Sequence, residues 1–359
     1  MGIVHLTRMK IGLIIYGSLE TVSGGYLYDR QLVATLQQAG HTVEIIALAW
    51  RTYRAHLRDN FDRALQQRLL IGDWDIVLQD ELNHPSLFGI NVQLLGRVRY
   101  PIVSIVHHLR ASEDHPRALR AIYREVERAY LRSVDGFIFN SETTRQTVQT
   151  LAPNRKPSIV AYPSGSRFVG HPPKPVCDDV LRLIFVGNVT RRKGLHTLLD
   201  ALQRLPDAPI QLDVVGAVDV EADYATNLQA RANRRVRFWG RLSDEELATR
   251  LSASHALVVP SQYEGFGIVY MEGMAFGLAI LATHGGAAHE IITHGSNGFL
   301  IMAEDVTALA EHLQTWLDDP HRLASMRHAS RQRFEQHPTW EDSMQGVERF
   351  LRQMLDARS

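Results

Sequence analysis

A single cysteine, Cys177, among 359 residues excludes an internal disulfide and any metal cluster built on cysteine. Long apolar runs are also missing. None approaches the roughly 18 residues that a membrane-spanning helix needs, and the first residues lack the apolar core of a secretion signal. The expectation is a soluble protein of the reducing cytoplasm. Net charge is absent as well, since 39 Lys+Arg balance 39 Asp+Glu. A general nucleic-acid binder, whose affinity rests on neutralising phosphates, is thereby disfavoured. The balance conceals an asymmetry. Residues 1–165 carry 19 Lys+Arg against 15 Asp+Glu, and residues 166–359 carry 20 against 24, so the first half is the more basic. Internal repeats, heptads and low-complexity tracts are lacking too. What remains is a globular chain whose length and 45% hydrophobic content suffice for two cores.

What is present is an alternation of short apolar strands and helical patterns. After residues 1–8, which read as a dispensable extension, Met9 to Tyr16 is a first buried strand, Gly24-Gly25 opens a helix to about Ala39, and Val43 to Leu48 is a second strand. Strand signals recur at 76–79, 102–106, 136–139 and 158–160. Such alternation predicts a parallel, doubly wound α/β sheet. The loop from Gly17 to Gly25 lacks the G-x-G-x-x-G spacing, so no dinucleotide fingerprint is present. Pro163, Pro172, Pro173 and Pro175, with Gly165 and Gly170, exclude regular structure from about Tyr162 to Cys177 and mark a linker. A second α/β pattern follows from Leu181. The final helix, Trp340 to Leu355, carries Trp340, Met344, Val347, Phe350, Leu351 and Met354 as an apolar stripe that needs a partner surface. The expected organisation is domains at 1–165 and 166–338, with residues 339–359 packing back on the first.

Polar residues gather at the carboxyl ends of the predicted strands, where open α/β sheets hold ligands. In the first half these are Glu81, Asn83 and His84 after one strand and His107 and His108 after the next. Asp73 and Asp75 precede their strand, at its amino end, and read as strand entry rather than a metal site. A helix from Arg117 to Arg132 presents Arg117, Arg120, Arg124, Arg128 and Arg132 at spacings of three and four. Two readings stand: a membrane-surface stripe, or a solvated face neutralised by Glu125 and Glu127. In the second half, Gly187-Asn188-Val189-Thr190-Arg191-Arg192-Lys193-Gly194 sets three cations before a helix, an arrangement suited to a diphosphate leaving group.

The centre of the pattern is Pro260-Ser261-Gln262-Tyr263-Glu264-Gly265-Phe266-Gly267-Ile268, followed by Glu272 in a helix. Gly265 and Gly267 let backbone amides and the helix start face an anion. Glu272 is placed to accept hydrogen bonds from a vicinal diol such as a ribose. A ligand with both phosphate and sugar hydroxyls would use all of these groups.

This stretch resembles the Glu-x7-Glu element of the retaining glycosyltransferases of family 4, and the likeness extends over Leu181 to Leu300 and, more thinly, the first half. The resemblance implies the GT-B fold, two facing Rossmann-like doubly wound α/β domains with a C-terminal helix crossing back to the N-terminal one. It implies that Glu272 holds the nucleotide ribose, that Glu264 lies beside the transferred sugar, and that the Gly265, Phe266, Gly267 and Ile268 amides meet sugar and diphosphate. Lys193 matches the family's diphosphate-binding lysine. Asn188 stands where an Arg is usual, and Arg192 is the expected substitute. Gly24 and Gly25 would approach the diphosphate, backbone at Leu242 would lie near the base, and His107 or His108 would reach the sugar. Glu81, Asn83, His84 and His108 are expected on the acceptor side.

The activity so implied is transfer of a hexose from a nucleotide diphosphate sugar, of UDP or GDP type, to a hydroxyl of a glycan, lipid-linked glycan or small molecule. No cofactor and no metal are expected. A lipid-linked acceptor would bring the first half to the inner face of a membrane as a peripheral contact. Rival readings are a nucleotide-sugar 2-epimerase on the same architecture and a catalytically silent nucleotide-sugar-binding protein, since fold alone does not decide function.

Overall fold

The computed structural model describes residues 8–168 and 179–357. Residues 1–7 of the expected extension and most of the expected linker, with Gly170, Pro172, Pro173, Pro175 and Cys177, lie outside the described residues. The chain divides into two compact units, Met1–Pro163 with Trp340–Ser359, and Ser164–Thr339.

In the first unit the elements are β1 (Lys10–Tyr16), α1 (Gly24–Gln38), β2 (Thr42–Leu48), α2 (Tyr53–Asp59), α3 (Arg63–Ile71), β3 (Ile76–Asp80), α4 (His84–Leu94), β4 (Ile102–Val106), α5 (Arg117–Ser133), β5 (Gly136–Phe139), α6 (Glu142–Leu151) and β6 (Ser158–Val160). The second holds β7 (Leu181–Val186), α7 (Leu195–Gln203), β8 (Ile210–Val215), α8 (Ala222–Arg231), β9 (Val236–Gly240), α9 (Asp244–Ser252), β10 (Ala256–Val259), α10 (Ile268–Ala275), β11 (Ala279–Thr283), β12 (Gly298–Ile301), α11 (Val306–Asp318) and α12 (Pro320–Glu335). The last helix, α13 (Trp340–Asp356), belongs to the first unit.

Both sheets are six-stranded and parallel, in the orders β2-β1-β3-β4-β5-β6 and β12-β11-β10-β7-β8-β9. Their central strands are mostly apolar and buried without alternation because helices cover both faces; β10 and β11 are buried at every position. Strand order reverses between β1 and β3 in the first sheet and between β7 and β10 in the second. At such switch points the loops leaving adjacent strands diverge and open a crevice at the carboxyl edge. Loops 187–194 and 260–267 therefore flank one crevice, and loops 17–23 and 81–83 the other.

The stripe on α13 finds its partner on α1 and β6. Trp340, Met344, Val347, Phe350, Leu351 and Met354 are all buried. The Trp340 ring meets Tyr28 edge-on at 5.7 Å, and His41 Nε2 lies 3.0 Å from Glu348 Oε1. Fully burying side chains of this size stabilises by about 1.5–3 kcal/mol each, which explains why the helix leaves the unit that precedes it in sequence.

Two expectations are corrected. Glu127 does not neutralise the arginine stripe of α5: it points inward and is fully buried, and its two carboxylate oxygens accept from Ala111 N at 3.2 and 3.3 Å. Glu125, on the outer face, does pair with Arg128. The other concerns the start of the linker, where Ser166–Phe168 forms a 3-10 turn rather than irregular chain. Phe168 is buried there and stacks edge-on against Phe276 at 5.4 Å, so an apolar anchor overrides the local proline and glycine content.

Candidate active site

The loops after β7 and β10 meet through charge. Lys193 Nζ lies 2.5 Å from Glu264 Oε1, and Ser261 Oγ donates to the same oxygen at 2.6 Å. Arg192 Nη1 donates to Tyr263 O at 2.8 Å and lies 3.8 Å from Glu264 Oε1. Glu264 is 8% exposed. Burial opposes its ionisation, but the charges of Lys193 and Arg192, with hydrogen bonds from Lys193 and Ser261, outweigh that and hold the carboxyl down at about 2. It is therefore a carboxylate at any physiological pH.

Its backbone is pinned too. Glu264 N donates to Gly285 O and Ala287 N donates to Glu264 O, both at 3.1 Å, so loop 285–287 fixes the residue through main-chain bonds. Gly267, at φ +86, supplies the left-handed turn from which α10 starts, and Tyr270 on that helix donates to Val259 O at 3.1 Å. Gly265, Phe266, Gly267 and Ile268 thus form the short connection between an ionised carboxylate and a helix start. Glu272, in the second turn of α10, is buried; burial pushes its carboxyl up, while Arg167, with Nε 2.8 Å from Glu272 Oε1, acts against the rise.

Asn188 is part-buried at the start of the 187–194 loop, and its carbonyl accepts from Thr190 N at 2.9 Å. Arg191 to Lys193 form a 3-10 turn ahead of α7. Arg191 lies over the Tyr224 ring, 5.4 Å from its centroid, on a different side chain from those that Arg192 meets. Leu242 sits part-buried between β9 and α9.

In the first unit, Gly24 and Gly25 open α1 behind the cap Ser23, whose hydroxyl accepts from Tyr26 N. A Cβ at Gly25 would come within 3.1 Å of the His107 ring, so the glycine permits the close approach of that histidine. His107 Nε2 lies 3.3 Å from Asp29 Oδ1. Burial lowers the basicity of His107, and the hydrogen bond and charge of Asp29 reverse that and raise it. Asp80, beside the pair, is pushed up to about 7 by burial and by Asp29. His108 is the more exposed of the two histidines and contacts Glu113 at 3.1 Å.

Glu81, Asn83 and His84 are buried. Burial pushes Glu81 and Glu127 up to about 8 and His84 down to about 4, so around neutral pH this cluster carries protons on its carboxyls and none on its imidazole. His84 Nε2 meets Tyr53 Oη at 3.1 Å, and Asn83 Nδ2 donates to Asp80 O at 3.1 Å. Asp73 pairs with Lys10 Nζ, and Asp75 accepts from Lys10 N at 2.7 Å, both at the amino end of β3.

Sequence reasoning gave Ser261 and Asp80 no role of their own and passed over Asp29 and Arg167. Asp29 had a signal: it interrupts the apolar face of α1 made by Tyr26, Val33 and Leu36, and a buried carboxylate needs a partner. Arg167 had none, because its partner is brought to it only by folding.

Comparison with known proteins bears on the second unit most directly. Residues 172–333 match the family model of the glycosyl transferases group 1. The second unit is thus similar to this family over most of its length. Among curated relatives, D-rhamnosyltransferase WbpZ of Pseudomonas aeruginosa is 28% identical over 261 residues, 66% of this chain and 67% of that protein. Across the first such relatives the chain spans 60–67% of their length. Among solved structures, sucrose-phosphate synthase from Thermosynechococcus elongatus superposes with a TM-score of 0.83 at 22% identity, over 98% of this chain and 100% of that one. Anabaena HepE, solved in complex with UDP-glucose, gives 0.75 at 19% identity over 96% and 100%. At such identities the structures establish the fold, the two-domain GT-B arrangement of parallel sheets. No helix among the described residues is long and apolar enough to cross a membrane.

Proposed function

We propose that this protein is a group 1 glycosyltransferase that moves a hexose from a nucleoside diphosphate sugar to a hydroxyl acceptor, with retention of anomeric configuration and without a metal. The observation that carries the reading is the buried, ionised Glu264 held by Lys193 beside Arg192 at the switch point of the second sheet, one loop away from Glu272. During transfer the bond from the anomeric carbon to the diphosphate oxygen breaks, the acceptor oxygen bonds to that carbon, and the acceptor proton is released with the diphosphate or to solvent. Lys193, Arg192 and the amides of Gly265 to Ile268 stabilise the charge that develops on the diphosphate, the task a metal performs elsewhere. Glu264 orients the donor sugar and stabilises positive charge at its anomeric carbon. Glu272 accepts from the ribose hydroxyls, and backbone near Leu242 meets the base.

The first unit takes the acceptor. Gly24 and Gly25 approach the diphosphate, and His107, held by Asp29, is the sugar-contacting histidine, whereas His108 faces outward with Glu113. Glu81, Asn83 and His84 brace the acceptor side from within. An acceptor carried on a lipid would bring α5 to a membrane surface, with exposed Leu119 and Ile122 among its arginines. The donor bound by HepE supports a nucleotide sugar for a fold of this kind.

The test is incubation with UDP-, GDP- and ADP-sugars, with and without candidate saccharide and lipid-linked acceptors, following free nucleotide and glycosylated product. Acceptor-dependent release supports the proposal. Conversion of a donor to its 2-epimer with no acceptor makes the protein an epimerase, and binding without turnover under all conditions makes it a sensor.

A further inference from the structure

Glu272 is a buried carboxylate, and such a group ionises only where something compensates its lost hydration. Its compensation comes from outside the motif. Arg167 Nε lies 2.8 Å from Glu272 Oε1, and Arg167 Nη1 donates to Asp244 Oδ1 at 2.8 Å, so the guanidinium is shared between a buried and an exposed acid. The same guanidinium lies over the Phe168 ring, 4.5 Å from its centroid, and Phe168 is buried against Phe276 just beyond α10. Two residues earlier, a Cβ at Gly165 would come within 2.5 Å of the Met271 carbonyl, which shows how closely this segment lies on the turn that carries Glu272.

We propose that Arg167 is a positioning residue for the donor site: it holds the Glu272 side chain in one rotamer, so that its carboxyl group accepts from the ribose diol. This rests on the reading of Glu272 as the ribose ligand. A planar guanidinium engaging Oε1 through Nε while Nη1 is anchored on Asp244 sets the plane of the carboxylate and leaves Oε2 available to a ligand. The other charged groups packed on α10 do not compete for it. Arg331 and Arg327 of α12 donate instead to the carbonyls of Ala275 and Gly277 at the far end of the helix, and β10 and β11 present no charged side chain.

The linkage to pH has a definite sign. Burial raises the carboxyl of Glu272 above its ordinary value and Arg167 restrains that rise. Without Arg167 the carboxyl rises further, so donor affinity is lost at a higher pH as the solution is acidified.

The experiment measures calorimetric affinity for whichever of UDP, GDP and ADP binds the wild type, and for its 2′,3′-dideoxy form, between pH 5.5 and 8.5. Proteins compared are the wild type, Glu272→Gln, Arg167→Met and Arg167→Lys, each with its unliganded melting temperature recorded. Arg167→Met is expected to weaken the ribose-bearing nucleotide roughly tenfold at neutral pH, to move the acid limb of its affinity to higher pH, and to have little effect on the dideoxy form. Arg167→Lys should recover part of the loss. Equal weakening of ribose and dideoxy nucleotides, or an unmoved acid limb, overturns the proposal and leaves Arg167 a packing residue. If Glu272→Gln binds the ribose nucleotide as the wild type does, the ribose reading itself fails. If Glu272→Gln is weak and Arg167→Met is not, only the positioning role fails.

Discussion

Lys193 and Glu264, 71 residues apart in sequence, form an ion pair of 2.5 Å that ties the loop after β7 to the loop after β10. Both side chains are largely withdrawn from water, 15% and 10% exposed, so neither charge is easily left alone. Lys193→Met is expected to abolish transfer and to destabilise the second unit by about 3–5 kcal/mol, since breaking a buried pair strands a charge. The pH dependence follows from the depression of Glu264 to about 2 from its ordinary 4.5. Because the folded value is the lower one, the stability it contributes is fully present above about 4.5 and is lost as pH falls towards 2. Melting temperatures across that range should fall more steeply for wild type than for Glu264→Gln; parallel curves would show that the carboxylate is not held as described.

Arg192 and Arg191 are neighbours with different surroundings. Arg192 reaches the Tyr263 carbonyl and the edge of Glu264, whereas Arg191 lies over the Tyr224 ring. With Asn188 unable to supply a cation, Arg192 is expected to carry the phosphate contact. Arg192→Ala should lower kcat/KM roughly ten- to a hundredfold, the cost of about 1.5–3 kcal/mol for a charge-assisted contact, and Arg191→Ala should change it little. The reverse order of effects would transfer the role to Arg191.

Chelation separates charge supplied by side chains from charge supplied by an ion. Activity is expected to survive excess EDTA, because in the proposed reaction Lys193 and Arg192 would stabilise the leaving-group charge in place of an ion. Asp73 and Asp75 are engaged with Lys10 at the amino end of β3. Complete loss on chelation, restored by manganese or magnesium, would redirect attention to Asp29, Asp80 and His107 or to Glu81, His84 and Glu127, whose side chains converge closely enough to hold an ion.

Asp29 sets the protonation of His107. Its hydrogen bond and charge raise the imidazole despite burial, so any stability the pair contributes is present below the ordinary histidine value and is lost as pH rises through the raised one. Asp29→Asn should lower the midpoint at which the His107 ring protons titrate by NMR, and should lower turnover with the donor sugar more than it lowers affinity for the free nucleotide. An unchanged midpoint would mean that Asp29 does not govern this histidine.

What the sequence by itself determined is the part governed by short-range pattern. Apolar runs bounded by glycine and proline predicted the strands of the first parallel sheet to within a residue or two, and a second α/β pattern from Leu181, because strands buried on both faces need continuous apolar side chains and leave little latitude in where they begin and end. The loops at strand carboxyl ends, with Lys193 and Glu264, and the helix that carries Glu272 were readable for the same reason, and the stripe on α13 declared that it needed a surface. Only the tertiary structure decided which charges meet and which lose their water. Glu127 read as an outer-face partner for arginines and is interior, since helical spacing of four does not say which side of α5 faces the core when the apolar residues are scattered. Asp29 reaches His107, and Arg167 reaches Glu272, across crossovers whose geometry no local window contains. Protonation followed the same rule: whether a carboxyl is held near 2, as Glu264 is, or pushed to about 8, as Glu81 is, depends on burial and on a cation that only the folded chain brings within reach.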